Sequence, residues 1–107
     1  MEKYIQVVTT TESKYDAKRI ASALIENKLA ACVQVVGPIL SVYRWKGDIE
    51  KVQEWQCVIK SRQDLFNKID KAIQAVHSYK TPEIIATVIS DGSEDYLKWL
   101  DEELAAS

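Results

Sequence analysis

The chain has 107 residues, with 14 Lys plus Arg against 16 Asp plus Glu and a net charge of −2. That length holds one domain over residues 1–107, and the small acidic excess argues against a general nucleic-acid binder, which carries a basic surplus. Apolar residues at 47% and charged residues at 28% are those of a soluble globular domain, and three glycines and two prolines leave little room for linkers.

Residues 4–9 are β-branched and aromatic and predict a strand. A polar break at 9–13 offers helix caps, and Ala17, Ile20, Ala21, Leu24 and Ile25 recur at helical spacing through 13–28. A second strand covers 29–36. Gly37-Pro38 interrupts it, because proline cannot donate to a ladder, and a bulge or bend is expected there. The strand resumes over 39–45. Lys46-Gly47-Asp48 is a turn, 49–51 pairs briefly across it, and 55–60 is a third strand, so that 31–60 forms one long hairpin. A second helix covers 61–77, with Leu65, Phe66, Ile69, Ala72, Ile73 and Val76 on one stripe. A fourth strand covers 83–90, and a short third helix covers 94–104.

The order β-α-β-β-α-β with an extra C-terminal helix is an α+β, ferredoxin-like arrangement. Two helices would cover one face of a four-stranded antiparallel sheet. The other face would show alternating polar residues if it met water. Instead Ile85 and Ile89 oppose Ile84 and Val88, Val8 opposes Val7, and Val36 opposes Val35. A sheet apolar on both faces needs two covers. A chain this short hardly supplies the second, so another subunit is expected to do so.

The chemistry-bearing residues are few. Cys32 and Cys57 lie in apolar strands, where a thiol is usually an inert core group, and no Cys-x-x-Cys is present. The three glycines are scattered, so no phosphate-cradling loop is predicted. His77 is the single histidine, and with two distant cysteines it matches no closed zinc pattern. At the end of a helix it can serve instead by bonding a nearby backbone group. Tyr43, Trp45, Trp55, Tyr79, Tyr96 and Trp99 gather near strand ends and the last helix, with Lys60 and Glu83 beside them. Such a set suits packing and a subunit interface, and it equally suits a cleft with aromatic walls and charged anchors. The N-terminal apolar run is shorter than a signal-peptide core, and no window approaches the ~20 apolar residues of a membrane span. A cytoplasmic location with reduced thiols and no membrane contact is expected.

Several ordered blocks resemble the CutA divalent-cation tolerance family: Leu29-Ala30-Ala31-Cys32, Ser41-x-Tyr43-x-Trp45-x-Gly47, His77-x-Tyr79, Pro82-Glu83 and Tyr96-Leu97-x-Trp99. The resemblance covers nearly the whole chain. It implies a ferredoxin-like subunit in a PII-like homotrimer, a cytoplasmic role in tolerance of copper and other divalent cations, and no established reaction. No catalytic residue is therefore expected, and the chain is read as non-enzymatic. Some family members are credited with a copper site made from a cysteine near the end of the first strand and a His-His pair. Thr9 and Val76 stand at two of those positions here, leaving His77 as the one metal candidate for weakly held Cu²⁺ or another divalent cation. The expected ligand cleft comprises Tyr43, Trp45, Lys60, Tyr79, Glu83 and Trp99. Within the same frame, a PII-like small-ligand sensor with no direct metal role is the alternative. An RNA-recognition module, which would stack bases on sheet aromatics, and a small thiol enzyme using Cys32 or Cys57 are rivals from other classes.

Overall fold

Side-chain alternation along β1 (Tyr4–Thr11) decides what the sheet covers: Ile5, Val7, Thr9 and Thr11 are buried, while Tyr4, Gln6 and Val8 are half-buried. The computed structural model describes residues 3–106. In chain order α1 (Lys14–Glu26), β2 (Cys32–Trp45), β3 (Asp48–Arg62), a 3₁₀ turn (Gln63–Leu65), α2 (Phe66–Val76), β4 (Ile84–Ile89) and α3 (Glu94–Glu103) follow. The strands form one antiparallel sheet in the order β2-β3-β1-β4, the expected α+β arrangement.

Register assigns the faces. Val7 stands opposite Ile59 and Ala86, and Thr9 opposite Cys57 and Ile84, on the side covered by α1 and α2. Ala17, Ile20 and Leu24 of α1 and Ile69 and Ile73 of α2 close this core. Tyr4, Gln6, Val8 and Thr10 share the other face with Val58, Lys60, Arg62, Ile85 and Ile89. We call this the open face. It is rich in apolar side chains, and Ile85 and Val36 remain 53% and 45% exposed.

Helix α1 starts at Ser13, whose Oγ accepts the Asp16 N–H at 3.1 Å. It ends two residues earlier than its periodicity predicts. Lys28 adopts φ 57°, its N–H reaches the Ile25 carbonyl, and the Leu29 N–H reaches the Leu24 carbonyl, which is a Schellman termination. Strand β3 runs to Arg62 because Ile5 and Tyr4 pair with Ser61 and Arg62, so α2 begins later than its apolar stripe suggests. It stops at Val76, and His77 is already extended.

The long hairpin expected over 31–60 is present, and its pairing is more continuous than the separate segments 39–45, 49–51 and 55–60 imply. Lys46 and Gly47 both have positive φ, the signature of a two-residue primed turn, and pairing runs continuously from Trp45↔Asp48 to Ile39↔Glu54. The expected interruption at Gly37-Pro38 is a bulge: the register shifts between Val36↔Gln56 and Ile39↔Glu54, and the Gly37–Pro38 peptide is cis. A Cβ at Gly37 would lie 2.5 Å from Cε3 of Trp55, so only glycine admits the indole there. The extra residue reverses the alternation of β2. Val33 and Val35 lie on the helix side, whereas Ile39, Ser41, Tyr43 and Trp45 fall on the open face. The distal half of the hairpin projects as a two-stranded ribbon, giving the molecule extents of 44 × 25 × 22 Å.

Helix α3 meets the open face at its other end. Asp101 accepts from the Tyr4 hydroxyl at 2.6 Å, Lys3 Nζ at 3.2 Å and Arg62 Nη1 at 3.4 Å. Leu100 and Leu104 are buried, and the Ala105 N–H bonds the Lys28 carbonyl.

Candidate functional site

The segment between α2 and β4 carries three polar links. His77 Nε2 lies 2.7 Å from the Thr10 carbonyl oxygen, and His77 Nδ1 accepts the Tyr79 N–H at 3.0 Å. The Tyr79 hydroxyl donates to Glu54 Oε2 at 2.7 Å. The Tyr79 ring packs tilted against the His77 ring, with centroids 4.9 Å apart. Glu54 is only 5% exposed, and Thr10 is also buried. Burial pushes the Tyr79 phenol far above its usual range, and the Glu54 carboxylate, Glu12 and Tyr43 push the same way. Register and bulge thus bring His77, Tyr79, Glu54 and Tyr43 into one neighbourhood on the open face.

The other expected cleft residues stand apart from it within one chain. Trp45 sits at the ribbon tip opposite Asp48, with Lys46 Nζ 5.9 Å from its ring centroid. Lys60 pairs with Cys32, twelve residues along β3 from Asp48, and so lies roughly 40 Å from Trp45 at about 3.3 Å per residue. Lys60 Nζ donates to Gln34 Oε1 at 2.9 Å. Trp99 packs tilted against Tyr96 with centroids 5.6 Å apart, and burial, with Cys32 nearby adding to it, raises the Tyr96 phenol above its usual range. Glu83 is exposed, just before β4. The expected set therefore forms a central group (Tyr43, Tyr79), a ribbon tip (Trp45), the α3 end (Lys60, Trp99) and an exposed carboxylate before β4 (Glu83).

Glu54 is the residue that sequence reading missed. In Asp48-Ile49-Glu50-Lys51-Val52-Gln53-Glu54 it is one acid among several. It is buried where Tyr79 of the 77–83 segment reaches it. The cysteines offer no nucleophile at Cys57: its Sγ contacts the Ala17 carbonyl oxygen at 3.4 Å, and burial pushes the thiol up to about 11. Cys32 is half-buried at the start of β2.

A metal is implied by the family resemblance, so the donor set matters. Among the described residues, no group of three or more His, Cys, Asp or Glu is arranged to hold a metal ion. Thr9, at the position of the family's cysteine, is fully buried on the helix side, and Val76 packs against the core. These residues do not fit the copper site described for some relatives.

The profile of the family described as CutA1 divalent ion tolerance protein matches residues 5–103. The chain belongs to the CutA1 family. A divalent-cation tolerance protein CutA from Thermus thermophilus is 41% identical over 96 residues, covering 90% of this chain and 93% of that protein. The crystal structure of CutA1 from Oryza sativa superposes with a TM-score of 0.96 at 38% identity, covering 99% of this chain and 97% of that one. A CutA from Archaeoglobus fulgidus, described as periplasmic, superposes at 0.91 with 39% identity over 94% of this chain and 97% of that one. The CutA1 fold is thus shared across most of the chain, and divalent-cation tolerance is the role named for the family.

Proposed function

We propose that this CutA1 chain serves divalent-cation tolerance as a non-enzymatic, PII-like homotrimer in the cytoplasm. The observation that carries the reading is the uncovered apolar surface. Ile85 and Val36 on the open face are exposed by 53% and 45%, and on the opposite face of the projecting ribbon Leu40, Val42 and Ile49 are exposed by 70%, 57% and 63%. Exposed apolar side chains on both the open face and the ribbon are characteristic of an interface, and burying them yields about 25 cal/mol per Å². The family resemblance supplies the number three. In such an assembly the ribbon of one copy can bring Trp45 and Tyr43 to the Lys60 and Trp99 end of another, completing a cleft that a single chain leaves divided. Lys60 would then meet an anion, and Glu83 would accept hydrogen bonds or a cation such as Cu²⁺. The second reading, a PII-like sensor of a small ligand without a direct metal role, is favoured by the engagement of both His77 nitrogens.

Sedimentation equilibrium with and without Cu²⁺ tests the proposal. The expected particle has three times the 12.2 kDa chain mass at micromolar concentration. A stable 12.2 kDa particle overturns the assembly. Titration calorimetry of the assembled protein with Cu²⁺ and with small organic anions separates the two readings.

A further inference from the structure

A carbonyl oxygen has no proton to give, so the His77 nitrogen 2.7 Å from the Thr10 oxygen, Nε2, carries the hydrogen. The Tyr79 N–H donates to Nδ1, so Nδ1 carries the lone pair. The two contacts together select the neutral Nε2–H imidazole. A metal ion needs a ring lone pair, and the only one is already taken. Nε2–H donation to a carbonyl is also what a metal-bound histidine makes, so the deciding contact is the Tyr79 N–H on Nδ1. Freeing Nδ1 strips that half-buried amide of its acceptor and loosens the residue whose hydroxyl holds buried Glu54. Among the described residues no group of three or more His, Cys, Asp or Glu is arranged to hold a metal; Glu54 Oε2 is engaged by Tyr79, and Thr9 offers a buried hydroxyl on the helix side of the sheet.

We infer that His77 is a structural latch, fastening the 77–83 segment to β1, and that this chain does not take up divalent cations through it. The inference goes beyond the proposed function and holds whether or not the trimer forms, because every contact used lies within one chain.

The test uses the full chain. Long-range ¹H–¹⁵N spectra of His77 are expected to show the neutral Nε2–H form. Asn at position 77 can place an oxygen where Nδ1 accepts, so H77N should keep the Tyr79 amide slow to exchange, whereas H77A should speed its exchange at least tenfold. Affinity for Cu²⁺ alone, read by calorimetry, should change less than threefold in H77N, and an undetectable affinity in the parent agrees with the inference equally. A tenfold loss of Cu²⁺ affinity in H77N, an Nδ1–H imidazole, or unchanged Tyr79 exchange in H77A overturns it. The oligomeric state of H77N, measured alongside, keeps failure of the trimer separate from failure of the latch.

Discussion

Among the described residues the Thr9 hydroxyl has no partner, and it is fully buried opposite Cys57 in the core beneath α1. A buried hydroxyl without a hydrogen bond costs on the order of 1–3 kcal/mol relative to water. Valine has nearly the same shape without that cost. T9V is therefore expected to raise stability by about 1 kcal/mol, read as a higher guanidinium midpoint at fixed protein concentration. An unchanged or lower midpoint would show that the hydroxyl finds a partner in solution. Gly37 is constrained in the opposite sense, by space. A methyl there meets the Trp55 indole at 2.5 Å, so G37A must displace the ring or the bulge. A loss of roughly 1–3 kcal/mol with a shifted Trp fluorescence maximum is expected.

At the scale of elements, α3 is held to the sheet through Asp101. The Tyr4 hydroxyl, then Lys3 and Arg62, hold its carboxyl below the usual 3.8, against the opposing effect of burial. A depressed carboxyl contributes stability that is complete above its unfolded pKa and is lost as pH falls through the lower folded value. Arg62 is only 11% exposed at its side chain, and it also bonds Asp64 and the Ala105 carbonyl. D101N should thus cost roughly 1–2 kcal/mol at pH 7. The gap from the parent should narrow as pH falls from about 6 to 3, because only the parent loses a charge there. Parallel urea curves at both pH values would rule out this role. The hairpin is the element whose behaviour departs most from local reading. Its polar outer half, 48–54, has little apolar periodicity, yet it pairs throughout because the Lys46-Gly47 turn sets a register that the backbone ladder propagates.

For the whole molecule, the open face is the decisive surface. A charge at Ile85 stands on that face, opposite Val8, and leaves the core under α1 and α2 untouched. I85D is expected to keep the circular dichroism of the parent and to sediment as a single chain. If it still associates, the apolar face is not the interface. The resemblance that named the family rests on blocks spread over strands, turns and α3, which is why it predicted the fold well. The cleft residues it implied are split within one chain, because β3 alone sets Trp45 and Lys60 roughly 40 Å apart.

Element order, a turn at Lys46-Gly47-Asp48, a bulge or bend at Gly37-Pro38 and the two-faced sheet were legible in the chain itself, since each depends on residues that are neighbours or alternate along it. The reversal of side-chain parity after the bulge, the burial of Glu54 and the occupation of both His77 nitrogens were not. The first follows from the pairing of β2 with β3 across the bulge, and the other two from the 77–83 segment reaching Thr10 of β1 and Glu54 of β3; contacts between residues 25 and 67 positions apart leave no periodicity to read.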